Sequence, residues 1–459
     1  MEALELARWQ FGITTVYHFL FVPLTIGLAP LVAIMQTVAY RTDDERWWRL
    51  TKLFGKLLLI NFAMGVVTGI VQEFQFGMNW SSYSRFVGDI FGAPLAIEGL
   101  AAFFLESTFL GLWIFGWRRM SRGLHLATIW LVALGTWASA YFILAANSWM
   151  QNPVGYAINE EAGRAELQSI GAVLTNPNLG WMFAHTIVAS LATAGFVVLA
   201  VAAYHMRKGN DVRVFRGTAV IGLVTALGAT GILGFTGHEQ AQLKTDLQPM
   251  KIAAAEAQYE TESPASWSVF AIGSLDGEEL LFDVRVPYLL SVLATNTLDG
   301  EVEGIDDLQS QAVAEHGEGD YTPNIPLAYW TFRLMIGLAM LMLAFSAYGL
   351  WQLRRGRLET STRFLRYAIP MAVTPFVASS AGWIFTEMGR QPWVVQDVLL
   401  TADGVSPSVS LGEVAFSLAA YTAIYTILLV VNVGLIVKYA RQGLGEERSP
   451  EDVGDALQY

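Results

Sequence analysis

The 459-residue chain contains no cysteine. That excludes disulfides, thiolate-held iron–sulfur clusters, cysteine-bound copper and covalently attached c-type haem. Charge is scarce as well. Asp, Glu, Lys and Arg make up 15% of the residues, against about 25% in an average soluble protein. A basic face, which a nucleic-acid binder needs, is missing: the net charge is −12, contributed mostly by residues 237–323 and the tail GEERSPEDVGDALQY. The opening MEALELARWQFGITT has neither a basic leader region nor a small-residue cleavage site, so it reads as mature protein entering a first span directly. Neither a low-complexity segment nor an internal repeat of the transporter kind is evident.

What the chain does have is apolar residues, 54% of the total, with 15 Trp, 16 Tyr and 26 Phe to furnish interfacial belts. Windows of about 20 apolar residues predict nine spans, at 14–40, 53–73, 93–116, 124–148, 181–206, 217–236, 325–353, 365–387 and 412–438. The expected fold is therefore an all-α integral membrane protein, multi-pass in the cell membrane. Lys and Arg set its orientation. Twenty of the 28 basic residues fall at connections on one side, from Arg41–Lys56, Arg118–Arg122, Arg207–Arg216 and Arg354–Arg366 to Lys438–Arg448. The positive-inside rule then places the N-terminus outside and the C-terminus in the cytoplasm. Four regions follow: six spans over 1–236, an extended outer loop over 237–323, three spans over 324–440 and an acidic cytoplasmic tail over 441–459.

Ionisable groups inside hydrocarbon are costly, which makes each a candidate functional site. His18 in TTVYHFLFVP and His185 in GWMFAHTIVA are each the sole His of their span. Glu98 and Glu106 in GAPLAIEGLAAFFLEST are eight residues apart, about 80° in helical projection, which suits a proton relay or a ligand with a relay. Arg333 stands two residues from Met335 in YWTFRLMIGLAM; a buried guanidinium requires an anion, and haem propionates are one kind. Glu387 lies four residues after Trp383 and three before Arg390 in GWIFTEMGRQPW, an arrangement that also fits an interfacial anchor. In the expected orientation His18, Glu98, His185, Met335 and Glu387 all occupy the outer half of the bilayer. Five potential ligands on five helices at one level point to a shared layer of redox cofactors.

The remaining histidines carry less. His125 and His205 lie near cytoplasmic helix ends, where a partly solvated, interface-facing role is expected, and His238 and His316 read as loop residues. The loop from 237 is too long to be only a connection. Its KIAAAEAQ reads as a short helix with Lys251 and Glu256 near one another, fitting either a quinol headgroup or an exposed amphipathic turn.

These segments together resemble subunit I of the cytochrome bd-type quinol oxidases. The matching stretches are RWQFGITTVYHFLFVPLT, LINFAMGVVTG, EFQFGMNWSSYSRFVGDIFGAPLAIEGLAAFFLESTF, NSWMQNPVG, FRLM and GRQPW, which run from the first residues towards the ninth span. The loop after KIAAAEAQYE is short, so the resemblance is to the short-loop type. It implies a low-spin haem b with His185 and Met335 as axial ligands and Arg333 nearby. It further implies two high-spin haems, a haem b and a haem d, taking His18 and Glu387, with Trp383 between the haems and Arg8 and Arg390 in their surroundings. Glu98 resembles the carboxylate at the oxygen-reducing haem, and Glu106 its partner on the proton route. Gln248, Lys251 and Glu256 match the quinol-binding loop. The implied function is oxidation of membrane quinol and reduction of dioxygen to water, electrogenic without proton pumping. The implied partners are a second membrane subunit (subunit II) and a small single-span accessory. The rival readings are a proton-coupled transporter using Glu98 and Glu106, and a haem-copper oxidase core. The latter needs a cluster of His in the spans, where only His18 and His185 are well placed.

Overall fold

The computed structural model describes residues 3–274, 277 and 279–444. Among them nine helical segments are long and apolar enough to cross a membrane: Ala3–Thr42, Glu45–Met78, Ser81–Phe115, Arg122–Gln151, Ile170–Lys208, Val212–Leu247, Ile325–Arg354, Thr362–Met388 and Leu411–Gln442. All nine expected spans are present, most of them extended by polar turns at their ends. Side chains of Asp44, Ser121, Ser169, Asn324 and Ser410 cap starts of the second, fourth, fifth, seventh and ninth spans, and Asn176 caps the long helix Pro177–Lys208 inside the fifth. Each supplies an acceptor for otherwise unpaired N–H groups. Gly209, at φ 77°, closes the fifth in a left-handed cap.

Several spans are interrupted where the site lies. The first breaks between Phe19 and Val22, ahead of Pro23. At the break the Phe21 carbonyl accepts twice, from Thr25 N–H at 3.2 Å as the next helix starts and from Asn61 Nδ2 on the second span at 2.6 Å. The third holds one π-helical stretch, Glu98–Phe103. A π turn inserts one extra residue and takes back about 100° of accumulated rotation. Glu98 and Glu106 are thereby brought from about 80° apart to about 20°, on nearly one azimuth.

Packing is divided along the bundle axis. The largest apolar core joins Leu24–Met35 of the first span to Leu50–Leu58, Leu110, Ile129–Ala133, Ala194–Met206 and Phe215–Ala226. It fills the half next to the basic connections, while smaller apolar clusters around Trp80, Trp149 and Met182 share the opposite half with the polar candidates. The fifth and sixth spans approach most closely at Gly195 and Gly222, where a Cβ on Gly222 would stand 2.7 Å from the Gly195 carbonyl oxygen. Small residues allow such backbone contact between membrane helices.

Several expectations are corrected. The sixth span runs on to Leu247, past the expected boundary at 236, so His238 is helical and the loop begins at Gln248. His316 ends a loop helix, Ile305–His316. His125 and His205 are buried, at 3% and 1% exposure. His125 bonds to Gln36 Nε2 (2.9 Å) and the Trp113 carbonyl (2.8 Å), and His205 to the Ala440 carbonyl (2.7 Å). Neighbouring spans satisfy their rings, so neither needs water. Outside the bundle, among the described residues, stand three two-stranded antiparallel hairpins that an all-α expectation omitted: Tyr156–Asn159 with Arg164–Leu167, Trp267–Gly273 with Leu280–Val286, and Trp393–Val395 with Leu399–Leu400. The expected tail falls, from residue 445 onward, outside the described residues.

Candidate functional site

The two span histidines are held alike. His18 Nδ1 lies 2.9 Å from Thr68 Oγ1 on the second span, and His185 Nδ1 lies 2.9 Å from Thr236 Oγ1 on the sixth. Each threonine turns its own hydrogen to a backbone carbonyl of its helix. Its lone pair is then left to accept Nδ1–H. The network thus assigns the proton to Nδ1 and leaves the Nε2 lone pair of both rings available to a metal. Each threonine is followed by a glycine against which the ring packs: a Cβ on Gly69 would meet His18 at 3.2 Å, and one on Gly237 would meet His185 at 3.5 Å.

Met335, on the seventh span, rests its sulfur against the eighth, where a Cβ on Gly382 would come within 2.6 Å of it. The next residue, Trp383, stacks on Phe19 at 5.5 Å and 8°, beside His18. One turn further, Glu387 accepts from Asn147 Nδ2 at 2.9 Å and from Arg390 Nη2. Glu98 accepts a hydrogen bond from Ser139 of the fourth span. Glu106 is 5% exposed and packs where Gly135 lets that span pass, one turn from Ser139. Both carboxylates of the third span thus face the fourth.

A second network enters from the loop. Asn147 accepts from Gln151 Nε2 at 2.7 Å, and Gln151 Oε1 accepts from Lys244 Nζ (2.9 Å) and Lys251 Nζ (3.0 Å). Both lysines also donate to Gln248 Oε1 at 2.8 Å. Hydrogen bonds therefore run unbroken from the loop helix Pro249–Glu256 to Glu387. The Lys251 stem crosses Gly389, where a Cβ would lie 2.9 Å from its Cγ. Burial, with Lys244 and Arg390 alongside, holds the Lys251 ammonium well below the ordinary lysine range.

Lys251 and Glu256 are both buried, at 2% and 4% exposure, which removes the exposed-turn reading, and they are not neighbours. Five residues apart on a helix, they point about 140° from each other. Glu256 faces the seventh span, where Arg333 Nη2 donates to it at 2.5 Å. Arg333 also donates to the Ser268 carbonyl (2.6 Å) and lies over the Tyr329 ring at 4.6 Å. Within the protein the anion that meets Arg333 is thus Glu256. Burial pushes the Glu256 carboxyl up from its ordinary value, and Arg333 offsets this only in part. Arg8 lies apart from these networks, lining a cleft of about 270 Å³ with Asp320, Gln391 and Thr401.

Asn147, Gln151, Thr68, Thr236, Ser139 and Lys244 were missed in the sequence. Only NSWMQNPVG, which contains Asn147 and Gln151, carried any signal.

The donor set suits haem. Among the described residues no three His, Asp or Glu side chains converge as a bare metal ion would need. Instead, single imidazoles, a thioether and a carboxylate project from separate helices, enough for irons whose equatorial positions a macrocycle fills. Buried donors without a partner stand among them: Trp383 Nε1, Arg333 Nε and Arg390 Nε. Such groups are expected where a polar cofactor supplies the acceptor.

Fold and site together define a polytopic helical membrane protein whose spans carry imidazole, thioether and carboxylate side chains. Residues 6–444 match the model of the family described as cytochrome bd terminal oxidase subunit I, and the chain belongs to that family. It is similar to the cytochrome bd ubiquinol oxidase subunit 1 of Bacillus subtilis, at 46% identity over 444 residues, 96% of this chain and 94% of that protein. It is similar also to the cytochrome bd-II ubiquinol oxidase subunit 1 of Escherichia coli, at 37% identity over 96% of this chain and 97% of that one. The solved bd oxidase of Geobacillus thermodenitrificans has the same fold, with a TM-score of 0.87 and 27% identity over 96% of this chain and 99% of that chain. The nine apolar helices and this membership make the chain a multi-pass bacterial membrane protein.

Proposed function

We propose that the chain is the haem-bearing subunit of a terminal oxidase that oxidises two membrane quinols to quinones and reduces one dioxygen to two waters. The observation that carries this is the matched pair of span histidines, each oriented through Nδ1 with Nε2 left free. His185 and Met335 would hold a low-spin haem b; His18 and Glu387 would hold a high-spin pair, a haem b and a haem d. When bound, the haems supply one-electron transfer and the iron at which dioxygen is reduced.

The protein's own residues do the rest. Glu256, its carboxyl raised by burial, takes a proton from the quinol hydroxyl, while Arg333 fixes its position. Gln248 and Lys251, the lysine donating to both Gln248 and Gln151, form the other wall of the quinol site. Glu106 and Glu98, on one azimuth of the third span, pass protons towards the oxygen-reducing end. With the N-terminus outside and the C-terminus in the cytoplasm, quinol protons leave outward while protons for water enter from the cytoplasm. Charge is then separated without a pump. The partners are a second membrane subunit, subunit II, and a small single-span accessory.

The test is a reduced-minus-oxidised spectrum of membranes carrying the protein, recorded with quinol-driven oxygen uptake. Haem bands and uptake are expected together. A colourless purified protein that moves protons with a solute would establish the transporter reading instead.

A further inference from the structure

The hairpin of Trp267–Gly273 with Leu280–Val286 is patterned inside out. Its cross-strand pairs Ser268↔Arg285 and Ala271↔Asp283 lie on one face, and Phe270↔Val284 and Ile272↔Phe282 on the other, with Val286 continuing that row. The polar face is the one that meets the protein. Ser268 Oγ lies 3.0 Å from Tyr329 Oη, and Arg285 Nη2 donates to the Ala257 carbonyl at 2.9 Å. Arg333 reaches the Ser268 carbonyl from the seventh span. The apolar face is turned away from the protein, with Phe270, Ile272, Phe282, Val284 and Val286 between 40% and 53% exposed.

A hairpin that stands in water shows the opposite arrangement, apolar side chains inward and polar ones outward. A row of five large apolar side chains on its free face would be an aggregation liability there. Apolar-out alternation is what strands show against lipid. The position of the hairpin agrees. Phe270 packs edge-on against Trp330 of the seventh span, with ring centroids 5.4 Å apart. Trp330 and, one turn on, Leu334 are themselves exposed, so the apolar face of the hairpin continues the free surface of a membrane span. Trp330 stands five residues in from the start of that span at Ile325, about 7.5 Å along the axis, a depth at which interfacial Trp side chains sit. Two strands leave open backbone edges, which the hydrocarbon centre does not tolerate. The boundary between headgroups and acyl chains, where water still reaches the backbone, accommodates them.

We propose that this hairpin is a membrane contact additional to the nine spans. It lies on the leaflet in which the seventh span begins, with Phe270, Ile272, Phe282, Val284 and Val286 set among the first acyl carbons of the phospholipids. Its opposite face carries the Ser268 carbonyl to Arg333, which pairs with Glu256, so lipid seats one wall around that ion pair. The contact depends on neither the haem nor the quinol reading.

The chain has no cysteine, so one introduced cysteine reports a single place in it. Ile272→Cys and Val284→Cys mark the apolar face, and Ser310→Cys marks the exposed side of the loop helix Ile305–His316 as an aqueous control. Each variant of the complete oxidase is coupled to an environment-sensitive fluorophore and placed in phospholipid nanodiscs; the unaltered oxidase, taken through the same labelling, gives the background from other subunits. A nitroxide on the lipid acyl chain should quench both hairpin sites several-fold more than the Ser310→Cys site, and aqueous iodide should do the reverse. Iodide quenching equal to that at Ser310→Cys, with none from the lipid nitroxide, would overturn the proposal by leaving the hairpin in water. Protection from both quenchers would overturn it as well, since another protein would then cover the face. Where one variant departs from the unaltered oxidase in its size-exclusion profile, the other hairpin site decides.

Discussion

Replacing Thr236 by Val keeps the shape of the side chain on the sixth span and removes the acceptor that holds His185 Nδ1–H at 2.9 Å. Two routes give the size of the effect. Loss of an outer-shell partner to a ligating histidine typically costs 10–100-fold in metal affinity, or roughly 1.4–2.8 kcal/mol. Leaving a buried N–H unsatisfied costs about 1–3 kcal/mol. The two estimates describe one loss and agree, so they are not to be added. Thr68→Val makes the same change at His18, through the second span. The expected result is a double dissociation. Thr236→Val weakens retention of the low-spin haem 10–100-fold and spares the high-spin pair, whereas Thr68→Val does the reverse. The assay is transfer of haem to a high-affinity acceptor apoprotein, followed in each absorption band of the purified oxidase. Retention of the low-spin haem at the unaltered level in Thr236→Val would refute the reasoning. So would parallel loss of all bands in either variant, which would indicate a general loosening of the bundle.

Further outcomes follow from the same geometry. Glu256→Gln, which leaves Arg333 with an uncharged partner, should raise the KM for quinol or lower turnover with haem content unchanged; unaltered quinol kinetics would remove Glu256 from the site. Because burial raises the Glu256 carboxyl, its proton-accepting form appears only above the ordinary glutamate range. Quinol oxidation should therefore rise with pH through that displaced value, and Glu256→Gln should abolish that limb of the pH profile. Glu106→Gln should keep its haem and lose oxygen consumption, and normal oxygen uptake would reduce Glu106 to a structural role. Gly389→Ala places a methyl 2.9 Å from Lys251 Cγ and should impair quinol oxidation without loss of haem, as compared by quinol titration and difference spectra.

The spans were legible because hydrocarbon demands about 20 apolar residues and tolerates few charges. Hydropathy failed where helices continue into water. The HEQAQLKTDL end of the sixth span looks like loop by composition, yet it is helical to Leu247. Charged and metal-binding groups in apolar runs stood out, which is why His18, His185, Glu98, Glu106 and Glu387 could be singled out. Thr68, Thr236 and Ser139 could not, since hydroxyls in membrane helices bond their own backbone and leave no mark in composition. The π turn at Glu98–Phe103 was invisible for a related reason: nothing in EGLAAF distinguishes it from ordinary helix. The separation of Lys251 from Glu256 was available in advance, because a five-residue step on a helix turns them apart. What the sequence could not show was which partner each would meet.

The donors come from opposite ends of the chain. Both histidines and the threonines that orient them lie before residue 248, and the fifth and sixth spans are locked together at Gly195 and Gly222. Met335 and Glu387 arrive with the last three spans. Under the proposed ligation the low-spin haem, held by His185 and Met335, is a staple between the first six spans and the last three, beyond the apolar core they share. Its affinity then adds to the holding force by mass action, about 2.7 kcal/mol for a ligand present at a hundredfold excess over its dissociation constant. Cells short of haem should therefore lose the protein itself and not only its activity, a deficit that quantitative immunoblotting of membranes would register before any assay of turnover.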